Sequence, residues 1–146
     1  MTLVENYNFP DDLYYHAEEH LWLRQGAEGV TVGVDALAQD ALGTIVHLAI
    51  HQPGQVVSRG DQIGSLEAEK MVSPLIAPVS GTLASVNETA METPQLVSEH
   101  PYGAGWLVVI EPAAFSEDAS SLIHGDTLEE WAQAEVRRYH DQGWVE

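Results

Sequence analysis

Cysteine is missing from this chain and lysine nearly so. Among 146 residues there are no cysteines and only five Lys and Arg together, against 23 Asp and Glu. Without cysteine there is no disulfide framework, no thiolate-bound zinc and no thiol nucleophile. The formal net charge of −18 would repel a phosphate backbone, so nucleic acid is not an expected partner. Acidity of this size serves solubility or steering toward basic partners. Long apolar runs are also missing. A membrane helix needs about 18 such residues, so no membrane partner is expected. The opening stretch MTLVENYNFPDD lacks the basic cluster and apolar core of a secretory signal, and a soluble cytoplasmic protein is expected. The G-x-S-x-G, G-x-G-x-x-G and P-loop patterns do not occur either. No catalytic residue is expected.

What is present reads as one domain. With 45% hydrophobic residues, the chain is long enough to bury its own core. Residues 1–12 read as a loose arm, 13–112 as the main domain and 113–146 as a helical C-terminal segment packed on it. Leu21, Trp22 and Leu23, then Val30 to Val34, flank a glycine-containing turn and read as paired strands. Asp35 caps a short helix over 36–42 that stops at Gly43. Val46, Leu48 and Ile50 alternate with His47, Ala49 and His51, as in a half-buried strand. From Gln55 to Val86 short apolar pieces are punctuated by Gly60, Gly64, Pro74, Pro78 and Gly81, which predicts short strands. Asn87 to Gly105 reads mostly as loop, and Trp106 to Ile110 as a strand buried on both faces. Leu128, Trp131, Ala132, Val136 and Tyr139 recur at helical spacing. The fold class is therefore mainly β with helical additions (α+β).

The single lysine, Lys70, is the feature that asks for a reason. Glu67 and Glu69 flank it, and carboxylates favour the charged ammonium, so it is not an activated catalytic amine. Gly60 lies ten residues before it and Gly81 eleven after. Two turn glycines at near-equal distance predict a hairpin with Lys70 at its tip, displayed to a modifying enzyme. The spacing of His47 and His51 invites a metal reading. On a strand, however, four residues span roughly 13 Å, too far for one ion. No metal site is expected.

The run GDQIGSLEAEKM at 60–71, followed by APVSGTL at 77–83, resembles the lipoyl and biotinyl carrier domains. That resemblance implies a flattened β-sandwich (a barrel-sandwich hybrid) whose hairpin lysine receives its group through an amide. Biotin carriers place Met on both sides of the lysine. Only Met71 matches here, which favours lipoate over biotin. Glu19-His20-Leu21-Trp22, VGVDALAQDALGTIVHLAI at 32–50 and HPYGAGWLVVIEP at 100–112 are similar to the glycine cleavage system H-protein. This implies a covalent carrier that is not an enzyme, with lipoate on Lys70, attached by a lipoate ligase or lipoate assembly enzymes. It also implies recognition residues around the arm at Glu67, Glu69, Met71, Val72 and Leu21, the last two sheltering the apolar dithiolane. A monomer that visits several partners is expected. A chain without thiols suits such a role, since nothing in it diverts exchange with a foreign dithiol.

Two positions depart from the H-protein pattern. Leu21 stands where that family has a glutamate after the histidine, and Pro74 where it often has an aspartate. Both carboxylates help hold a cationic aminomethyl group. Their loss favours the H-protein-like lipoate-binding proteins linked to heterodisulfide-reductase-like complexes in sulfur oxidation, where the arm carries sulfur. The alternative is the H-protein role itself, carrying the aminomethyl group between glycine decarboxylase and aminomethyltransferase.

Overall fold

The computed structural model describes residues 2–146. In chain order the elements are β1 (Thr2–Val4), β2 (Tyr7–Phe9), β3 (Tyr14–Tyr15), β4 (Leu21–Gly26), β5 (Gly29–Val34) and α1 (Ala36–Leu42). Next come β6 (Ile45–Ile50), β7 (Val56–Val57), β8 (Gln62–Ala68), β9 (Val72–Ile76) and β10 (Gly81–Val86). Then follow α2 (Glu88–Glu92), α3 (Gln95–Glu99), β11 (Val108–Pro112), α4 (Phe115–Ala119) and α5 (Leu128–Asp141).

Two sheets carry the fold. One has six strands in the order β3-β4-β5-β11-β10-β7, and the other three, in the order β6-β8-β9. Their inner faces meet in one core. Leu23, Val32 and Ile110 come from the larger sheet, and Leu48, Leu66 and Leu75 from the smaller. This is the flattened β-sandwich. A second core lies on the outer face of the β3–β5 meander, where Phe9, Leu13, Tyr15 and Trp22 pack against Leu128, Ala132, Val136 and Tyr139 of α5. Strand alternation explains the division. Leu21 and Leu23 of β4 point into the first core, and Trp22 between them points into the second. Gly33 makes room for that indole: a Cβ there would stand 2.5 Å from the Trp22 ring.

Several expectations change. The loose arm expected over 1–12 is, from Thr2 on, an antiparallel β1–β2 hairpin. Phe9, at its end, has no exposed surface. In β6 the buried residues are Ile45 and Leu48, while Val46 is half exposed. A register shift between Ile45 and His47 puts an extra residue into the strand, and a bulge of this kind reverses side-chain parity. The loop expected over 87–105 holds the five-residue helices α2 and α3. Asn87 caps the first by accepting from the Ala90 N–H at 3.1 Å. The strand expected to start at Trp106 starts at Val108, and its burial alternates rather than covering both faces. The helix over 36–42 forms as expected, with the Asp35 side chain accepting from the Ala38 N–H.

Candidate functional site

The β8–β9 pair runs in antiparallel register from Gln62 opposite Ile76 to Glu67 opposite Val72. At its far end the Ala68 N–H donates to the Met71 carbonyl at 2.9 Å, closing a turn with Glu69 and Lys70 at its centre. At its base the Gly60 N–H donates to the Ala77 carbonyl at 2.9 Å. Lys70 is thus exposed at a hairpin tip.

The tip is tied down. The Glu69 N–H donates to the Thr44 carbonyl at 3.1 Å, and the Thr44 N–H donates to Glu69 Oε1 at 3.3 Å. This reciprocal pair joins the tip to the chain leaving α1. Gly43, which ends that helix at φ 83, lies under the lysine stem. A Cβ at Gly43 would meet Cγ, Cδ and Cε of Lys70 at 3.6–3.8 Å. The positive φ there suits glycine alone.

Lys70 borders a cavity of about 510 Å³. Its floor is apolar and belongs to the sandwich core, with Leu21, Val34, Leu42 and Leu66 all buried. Glu18 and Glu19, both exposed, are among its lining residues, and Glu18 Oε2 lies 3.7 Å from His16 Nδ1. Met71 and Pro74 line it beside the lysine, and Tyr139 and Trp144 line it from the C-terminal side.

A buried ion network fixes the elements around this cavity. His20, 1% exposed, places Nδ1 2.6 Å from Asp35 Oδ2 and Nε2 2.7 Å from Glu135 Oε1. Each ring nitrogen faces a carboxylate oxygen, so both donate and the ring is an imidazolium. Burial alone would lower the His20 pKa. The charge and hydrogen bond of Asp35, then those of Glu135, overcome it and raise the pKa to about 9. Glu135 in turn accepts from the Arg138 fork at 2.9 and 2.8 Å. Those Arg138 bonds, reinforced by His20 against the opposing effect of burial, lower the Glu135 pKa to about 2. Asp35 also caps α1, so one histidine links α1 to α5. It does so at φ 56, a left-handed conformation uncommon outside glycine.

The sequence-derived residues separate on this geometry. Lys70, Met71 and Leu21 share the cavity. Glu69 clamps the tip instead of lining it. Glu67 is exposed in the strand register between His47 and Val72. Val72, expected to shelter the arm, is 64% exposed and stands outside the cavity lining. Sequence reasoning gave no site role to Glu18, Glu19, His20, Tyr139 or Trp144. Glu19 opens the Glu19-His20-Leu21-Trp22 motif and Glu18 precedes it, and both line the cavity. The premise behind the sulfur cargo also weakens. Leu21 and Pro74 do line the cavity, yet two glutamates, Glu18 and Glu19, line it as well.

His47 and His51 are both exposed, and no group of three or more potential metal ligands gathers among the described residues. No helix among them is long and apolar enough to cross a membrane.

A cavity with an apolar floor beside an exposed lysine suits an amide-linked lipoyl group, whose ring is apolar. The comparisons agree. Residues 13–135 match the family model described as Glycine cleavage H-protein. A glycine cleavage system H protein of Gloeobacter violaceus is 40% identical over 125 residues, covering 86% of this chain and 94% of that protein. The Aquifex aeolicus glycine cleavage system H protein 2 is 36% identical over 127 residues, covering 84% of this chain and 79% of its own length. The crystal structure of a glycine cleavage system H protein from Mycobacterium marinum superposes with a TM-score of 0.74 at 36% identity, covering 87% of this chain and 98% of that one. The sulfur-oxidation expectation finds no support among these matches.

Proposed function

The chain belongs to the glycine cleavage H-protein family, a family of covalent lipoyl carriers that are not enzymes, and from that premise we propose that Lys70 bears the lipoyl amide and carries the aminomethyl group of glycine cleavage. The observation that carries this reading is the placement of the only lysine: at a pinned hairpin tip, beside an apolar-floored cavity that Glu18 and Glu19 also line. The lipoyl group, when bound, supplies two sulfurs that accept electrons and hold the transferred carbon.

The chain's own residues do the rest. Acylation removes the Lys70 ammonium and leaves the protein one charge more negative than −18. Leu21, Val34, Leu42 and Leu66 offer an apolar surface away from water. Glu18 and Glu19 offer negative charge to a cationic amine held there. They replace, from the preceding turn, the carboxylates missing at Leu21 and Pro74. The partners are then a lipoate ligase, glycine decarboxylase and aminomethyltransferase. An exposed tip and strong negative charge suit docking on basic faces of such enzymes.

The lipoylated protein should support glycine-dependent CO2 release when mixed with glycine decarboxylase and aminomethyltransferase, and Lys70→Arg should abolish it. Glu18→Gln together with Glu19→Gln should shorten retention of the amine by several-fold. Lipoylated protein that supports no glycine cleavage would contradict the assignment and return the sulfur cargo to consideration.

A further inference from the structure

The family match ends at residue 135, yet Tyr139, Gly143 and Trp144 line the same cavity as Lys70. We infer that the C-terminal tail of this chain is a wall of the arm's resting place, with the Trp144 indole as its apolar contact for the sulfur-bearing end of the arm. This rests on the reading that Lys70 carries lipoate.

Trp144 is not a loose end. It is 45% exposed, while Tyr139 and Val145 on either side are 7% and 8% exposed, so the backbone around the open indole is anchored. The anchor is a helix-terminating motif. Gly143 adopts φ 75. Its N–H donates to the His140 carbonyl at 3.0 Å, and the Trp144 N–H to the Tyr139 carbonyl at 3.0 Å. That is the Schellman arrangement, with its expected apolar contact between the residue after the glycine and the last turn. Trp144 meets Tyr139 edge-on, with ring centroids 5.0 Å apart at 85°. The Arg138 guanidinium lies 5.4 Å from the Trp144 ring centroid, and Glu135 holds that guanidinium in a two-pronged bond. An exposed indole is thus held still at the edge of a cavity. Sulfur against the edge of an aromatic ring is a favourable contact, and the group to be sheltered carries two sulfurs.

The absence of cysteine makes the test direct, because a thiol reagent then reports on the reduced arm alone. Lipoylated wild type, Trp144→Ala and Trp144→Phe are reduced and treated with iodoacetamide, and the alkylation rate is followed by mass. Trp144→Ala should alkylate about threefold faster or more, and Trp144→Phe should stay within about twofold of wild type, since it keeps a ring. A purely structural role would lower the melting temperature and leave the rate unchanged. Lipoylated Trp144→Ala reacting at the wild-type rate overturns this inference alone. Wild type with no lipoyl mass increment overturns the carrier reading and the inference with it.

Discussion

Glu69 shows how one residue can direct another. Its backbone and its carboxylate both bond Thr44, so the residue beside Lys70 ties the hairpin tip to the chain leaving α1. Removing the acceptor should free the Thr44 amide. Glu69→Ala should speed hydrogen exchange at Thr44 about fivefold, the effect of losing one ordinary hydrogen bond of about 1 kcal/mol. Glu69→Gln keeps an acceptor and should leave exchange within about twofold of wild type. Equal exchange in all three proteins would mean that the clamp does not form in solution. The sequence marked Glu69 for its charge next to Lys70, and that much was legible. Its bond to Thr44 was not, because it joins positions 25 apart that only the packing of β6 on β8 brings together. Leu21 was legible as apolar at a place of interest. Glu18 and Glu19 were not, since only the folded chain brings them to the same cavity as Lys70, a residue about fifty positions away.

At the scale of elements, α5 and α1 are joined through His20. The imidazolium between Asp35 and Glu135 makes that junction sensitive to pH, and the sign follows from the shift. The folded pKa is raised from 6.5 to about 9. The stabilisation is therefore complete below the ordinary histidine pKa and is lost as pH rises through about 9. A shift of that size corresponds to stabilisation on the order of 3 kcal/mol. Glu135, lowered to about 2, contributes stability above the ordinary glutamate range and loses it as pH falls through about 2. Urea unfolding between pH 6.5 and 9.5 should show a decline in wild type that His20→Gln largely removes. A wild-type protein equally stable at both ends would contradict a buried imidazolium. Helix α5 was readable from the spacing of Leu128, Ala132, Val136 and Tyr139, all of which are buried. The short helices α2 and α3 were not, because five residues are too few to establish a period. The phase of β6 was misread for a related reason: an alternating pattern does not reveal a bulge.

At the scale of the whole molecule, the same meander that builds one face of the sandwich also carries α5 on its back, and the cavity opens where the two cores come together. Leu21 belongs to the inner core and Tyr139 to the outer, and both line the cavity. The sandwich and its hairpin were legible because alternating strands and turn glycines are local signals. The second core was not, since it needs the first residues of the chain and the last helix to meet. Surface charge follows the same economy. A protein of net charge −18 with one lysine offers a modifying enzyme a single side-chain amine, and the fold sets that amine apart on a hairpin tip. Intact-mass measurement of the protein made in its native host, beside Lys70→Arg, tests this most directly. One lipoyl-sized increment on the wild type and none on the variant is the predicted result. An unmodified wild-type chain, or an increment the size of biotin, would contradict it.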